Sequence, residues 1–170
     1  SFRLVLKRIS FLERLPIGNR RSGRLLVLAN PSRHALRAYP TALAMVASIG
    51  FIEKIIQCFA EATRVQLDSP GREGNIVVLD SQLATDVMVT GDLHGHRHNF
   101  NAIRRVADLR NHPGRHLVLQ EVCHGGPTYP ANGGDMSHTL LEDVARLVTE
   151  FPGRVHFLLG NHELSELTDY

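Results

Sequence analysis

Three short stretches hold residues that core packing alone does not call for. VTGDLHGHRHNF, residues 89–100, ends an apolar run in Asp92 and sets His94, His96 and His98 at alternate positions beside Gly91 and Gly95. QEVCHGG, residues 120–126, follows a second apolar run, and GNHE, residues 160–163, follows a third. Asp92, His94, Glu121 and Asn161 offer carboxylate, imidazole, carboxylate and amide oxygen. A mixed nitrogen and oxygen set without thiolate suits Mn, Fe, Zn or Co better than an all-oxygen Mg or Ca cage. A carboxylate such as Glu121 can bridge two cations through its two oxygens. Two metals about 3.5–4 Å apart lower the pKa of a shared water and clamp both the attacking and the leaving oxygen in phosphoryl hydrolysis. His162, one residue beyond a ligand, is placed to protonate the leaving group. The glycines permit turns that other residues resist and let a phosphate approach closely. His96 and His98 fit better as surface residues at a helix entry, and Cys123 as a small buried residue than as a nucleophile.

The elements that must position these residues follow from periodicity. Met45, Ile49, Ile52, Ile56 and Phe59 recur at three- and four-residue steps and predict a helix over residues 43–66. Asp68-Ser69-Pro70-Gly71 stops it. Residues 76–79 and 87–90 are short apolar strands, and Phe100, Ile103, Val106 and Ala107 form one face of a helix that ends before Pro113-Gly114. Leu117-Val118-Leu119 is the next strand, followed by a Gly/Pro/Asn loop over residues 124–134. Leu140, Leu141, Val144, Leu147, Val148 and Phe151 make a helix with Ser137 or Asp135 as its N-cap, and residues 155–159 a last strand before a further helix. Strand, helix, strand, helix, strand with near-continuous apolar strands predicts an α/β fold with a parallel sheet covered on both faces. In such sheets ligands sit beyond the carboxyl ends of the strands. All three unusual clusters lie there, so three adjacent parallel strands bring them into one crevice.

Composition restricts the rest. A chain of 170 residues with 43% hydrophobic and 21% charged residues can bury a core of its own. No run approaches the roughly 20 apolar residues of a membrane span, so no membrane partner is expected. Two cysteines make no disulfide scaffold, which suits a reducing compartment and a cytoplasmic location. Residues 1–44 hold nine Arg and Lys against one acid, a charge of +8, while residues 45–170 carry −6. The N-terminal stretch is therefore set apart as a basic, poorly ordered extension or an over-long translated start, and residues 45–170 as the domain. A basic arm for nucleic acid or anionic lipid is an alternative, with Phe2, Val5, Ile9 and Leu12 at the helical spacing of an interfacial helix, and a targeting peptide is a further one. Phosphate-cradling G-x-x-x-x-G-K-[ST] and G-x-G-x-x-G loops are lacking.

Gly91-Asp92-Leu93-His94-Gly95 and Gly160-Asn161-His162-Glu163 resemble the G-D-x-H-G and G-N-H-E motifs of calcineurin-like metallophosphoesterases, in the order of the serine/threonine phosphoprotein phosphatase branch. The resemblance implies a four-layer αββα sandwich with two divalent transition-metal ions. Asp92 and His94 would bind the first metal, Asn161 the second, and His162 would donate the proton. Where the family has G-D-x-x-D-R-G, Glu121 falls on the bridging Asp, His124 on the Asp that orients the proton donor, and Gly125 on the phosphate-binding Arg. Arg97 is a substitute for that positive charge. The family's later metal-binding histidines have no counterpart before Tyr170, so the chain is expected to be the N-terminal βαβαβ half of the domain, weakly active or inactive by itself. The expected function is hydrolysis of phosphomonoesters or phosphoproteins by dimetal-activated hydroxide. The alternative is a non-catalytic module that binds metal or a phospho-ligand, descended from such an enzyme.

Overall fold

The computed structural model describes the backbone of residues 3–7 and 35–168 and the side chains of residues 48–165. The chain divides into two units, Ser10–Ile56 and Ser1–Ile9 with Gln57–Tyr170. Of the first, the described part is helical from Ala35 onward. The second unit holds the strands and every residue singled out above for chemistry.

In chain order the elements are β1 (Arg3–Lys7), α1 (Ala35–Leu67), β2 (Arg72–Glu73), β3 (Ile76–Asp80), β4 (Asp86–Asp92), α2 (Arg97–Ala107), β5 (Arg115–Gln120), α3 (His138–Glu150), β6 (Val155–Leu158) and α4 (Asn161–Thr168). Helix α1 begins well upstream of the predicted start. Within the stretch set apart as an extension, Arg3–Lys7 pairs antiparallel with β3 rather than continuing a helical face. So short an apolar run suits either period, and pairing decides between them. The rest of residues 1–34 lies outside the described residues.

Strands β4, β5 and β6 form a parallel sheet in that order, and β1, β3 and β2 an antiparallel one. Side-chain alternation on β5 assigns the two faces of the parallel sheet. Leu117 and Leu119 pack with Val155 and Phe157 under α2, α3 and the C-terminal turns of α1. Val118 points the other way, against Val77 and Leu79 of β3. One face is thus covered by helices and the other by the second sheet. Helix α2 contributes Phe100 and Ala107, and α3 contributes Leu140, Val144 and Leu147, all buried, whereas Val106, read from its spacing as part of the α2 face, is 67% exposed. Gln66 near the end of α1 donates a buried hydrogen bond to the Val155 carbonyl at 2.8 Å, which ties the helix to β6. Among the described residues no helix is long and apolar enough to cross a membrane.

Candidate metal centre

The three clusters emerge at the carboxyl ends of adjacent parallel strands, and a buried apolar neighbour pins the first two. Leu93, between Asp92 and His94, is 1% exposed, and Val122, next to Glu121, is fully buried. The two loops are joined through the backbone: Leu93 and His94 both donate to the Glu121 carbonyl, at 2.9 and 3.0 Å, and Gly95 donates to Val122 at 2.8 Å. The register of β4 against β5 shifts between Val89 and Asp92, which re-aims the residues that follow. Glycine is required at 95, because a Cβ there would lie 2.3 Å from the Gly125 carbonyl oxygen and φ is +69°.

Three residues of the site adopt the left-handed backbone region without being glycine: His94 at φ 44°, Glu121 at 45° and His124 at 67°. Such a conformation costs about 1–3 kcal/mol per residue and persists only where the surroundings fix it. The fixing contacts are identifiable. His124 donates its N–H to the hydroxyl of buried Ser137 at 2.9 Å, and Gly125 donates to Asp135 at 2.8 Å. Ser137 does stand at the N-cap position of α3, but its hydroxyl makes no cap bond. It serves the His124 loop instead, while Asp135 accepts the Ser137 N–H. Burial would push the Asp135 carboxyl up, but hydrogen bonds from Ser137 and Gly125, aided by nearby His124, hold it below its ordinary value.

Glu163 is the residue whose role the sequence did not reveal. It is 4% exposed, and its carboxylate accepts three backbone N–H groups. Val122 and Cys123 donate at 2.7 and 2.6 Å, and Gly160 at 2.7 Å. The Gly160 contact is the reaching-back half of a capping box at the start of α4. The other two lock α4 onto the loop after β5. The available signal was an acidic residue three positions beyond the helix cap.

The side chains then converge. Donor atoms of His94, Glu121 and His162 all lie within 4.8 Å of one another. His162 Nε2 is 3.9 Å from Glu121 Oε1. The His124 and His162 rings are stacked, with centroids 4.1 Å apart and planes 6° from parallel, and His94 meets His162 edge-on at 5.4 Å. Asp92 lies at the rim: Oδ2 is 3.7 Å from His94 Nε2, and Oδ1 accepts a hydrogen bond from Gln120 at 3.0 Å. Asn161 is exposed at the first position of α4. Arg97 is placed differently from its expected role at the phosphate. Its guanidinium pairs with Asp143 at 2.6 Å and donates to the Thr139 hydroxyl at 3.0 Å, both on α3.

The donor set fits a transition metal. Two imidazoles and a carboxylate in one cluster are borderline donors of the kind zinc, iron and manganese take. His94 Nδ1 is moreover buried without a hydrogen-bond partner. A buried, unpaired imidazole nitrogen is costly unless something takes it up. The family model for calcineurin-like phosphoesterases matches residues 85–170, just over half of the chain. The chain belongs to the calcineurin-like phosphoesterase family. No curated protein and no solved structure matches it. The matched region of this phosphoesterase domain begins at the start of β4 and includes all three clusters, so the family's metal-dependent chemistry on phosphate esters and the observed His/Glu/His group fall on the same residues.

Proposed function

We propose that the domain hydrolyses phosphomonoesters or phosphoproteins, with divalent Mn, Fe or Zn held among Asp92, His94, Glu121 and Asn161. The observation that carries this reading is the convergence of His94, Glu121 and His162 at the ends of three adjacent parallel strands. When bound, such cations supply Lewis acidity toward the phosphoryl oxygens and a more acidic water. The chain's own residues do the rest. Glu121, 13% exposed, presents its carboxylate from within the cleft. The paired imidazoles of His124 and His162 supply the proton for the leaving oxygen. Left-handed backbone at His94, Glu121 and His124 holds these groups in place before substrate arrives, which is the condition for electrostatic stabilisation of the transition state. We place the protein in the cytoplasm, because Cys58 and Cys123 are not joined in a disulfide.

The second reading, a module that binds metal or a phospho-ligand without turnover, is favoured by one observation: Arg97 is engaged by Asp143 rather than free to meet a phosphate. Hydrolysis of an aryl phosphate with added Mn²⁺ decides between them. Turnover that falls by about 100-fold or more in Asp92→Asn and Glu121→Gln supports the enzyme. Metal binding with no turnover above those variants supports the binding module.

A further inference from the structure

We propose that a pocket between the last turns of α2 and α3 binds a small organic anion with an apolar body, at the end of the parallel sheet away from the histidine cluster. Helix α2 runs back from the carboxyl end of β4 to the amino end of β5, and α3 likewise returns to the amino end of β6. Their last turns flank a cavity of about 350 Å³, a size that small-molecule sites share. Leu109, Leu117 and Leu147, all buried, form its floor, with half-buried Phe151 beside them. The rim carries Arg104 and Arg105 of α2 and Arg110 of the loop that follows. Asn101, Arg104, Arg105 and Asp108 stand at three- and four-residue steps, so both arginines of the helix flank the same opening.

Positive charge is in surplus there. Glu150 takes Arg110 at 2.6 Å and holds Arg104 only loosely, at 3.8 Å. Asp108, the other acid of the lining, is turned to the Asn111 amide, which lies 3.0 Å from each of its oxygens. The Arg105 guanidinium is exposed and has no ion pair or hydrogen bond among the described residues. The carbonyl end of a helix repels an anion, but here it is covered. Arg115 donates to the Ala107 carbonyl at 3.0 Å, and Arg154 to that of Leu109 at 2.9 Å. Spare guanidinium over an apolar floor suits a ligand whose carboxylate, sulfonate or phosphate meets the arginines while its body displaces water from the leucines.

The test titrates the full 170-residue chain with naphthalene sulfonate, which has no ester bond to cleave, and follows the leucine methyl groups by NMR. The expected result is saturable shifts at Leu109, Leu117 and Leu147, with the Leu93 methyls, between Asp92 and His94, unmoved. Neutral naphthyl methanol should bind at least about tenfold more weakly, and added salt should weaken the sulfonate alone. Arg105→Ala, which removes no ion pair or hydrogen bond within the described chain, should cost roughly tenfold in affinity. Glu150→Gln, which releases Arg104 and Arg110 from their shared carboxylate, should tighten binding several-fold. The wild-type shifts need no variant to fold. Equal affinity for sulfonate and alcohol, shifts centred on Leu93, or no shift with about 5 mM sulfonate would each overturn the proposal, as would an unchanged affinity in Arg105→Ala.

Discussion

Glu163 shows how one side chain can organise a site it does not enter. Its carboxylate accepts the N–H groups of Val122, Cys123 and Gly160, and so fixes the loop after β5 to the start of α4. Glu163→Ala would leave these donors without a partner in a buried place. A destabilisation on the order of 3 kcal/mol is expected by urea unfolding, with Glu163→Gln milder because an amide oxygen still accepts. A shift under half that size would mean that water replaces the carboxylate. Gly160 acts by having no side chain at all. Gly160→Ala would push a methyl into Glu121, so the variant should lose cation affinity while Gly134→Ala, which meets only the Asn132 side chain, should not. Equal affinities by calorimetry would show that Glu121 reaches the cleft by another route.

Between elements, neighbouring strands of the parallel sheet share a pair of buried histidines, His116 on β5 and His156 on β6, 5% and 2% exposed. His116 Nε2 lies 3.0 Å from the Leu83 carbonyl, so it carries the proton there and Nδ1 accepts from His156 Nε2 at 3.0 Å. Burial lowers the pKa of His116. The Leu83 carbonyl opposes that, Arg154 adds to it, and Asp86 opposes it, with a net downward shift from 6.5. The unfolded chain therefore binds this proton more readily than the folded one, and stability must fall as pH drops below about 6.5. Urea midpoints at pH 8 and pH 5.5 should differ in the wild type and converge in His116→Asn. An unchanged acid limb in the variant would assign the effect to other groups. The charge pairs on the surface, such as Arg110 with Glu150, are exposed and add little.

At the scale of the whole molecule, a cation held at the proposed centre would link the geometry of the site to folding. His94 just after β4, Glu121 just after β5 and His162 on α4 form one cluster, so a bound ion would bridge segments far apart in sequence. A ligand at 100 times its dissociation constant adds about 2.7 kcal/mol to the folded state. Zn²⁺ or Mn²⁺ should accordingly raise the thermal midpoint, and a chelator should return it to the metal-free value. Glu121→Gln should abolish the increment. A midpoint indifferent to metal in the wild type would argue against any tight site in the cleft.

What the sequence by itself determined is the chain's local order and its family. Period-two and period-3.6 patterning located β3 to β6, α2 and α3, because burial on one face is written directly into residue spacing. The Asp92-x-His94 and Asn161-His162 pairs stood out because core packing does not call for such residues at strand ends. The start of α1 and the strand Arg3–Lys7 were not, since short apolar runs without clear caps fit several elements. Only the tertiary structure decided which donors meet. It drew His162 into the group with His94 and Glu121, set Asp92 at its rim, tied Arg97 to Asp143, and gave Glu163 its three N–H partners. Sequence spacing cannot encode these outcomes, because they depend on the direction in which side chains leave three separate strands and on the left-handed turns that aim them.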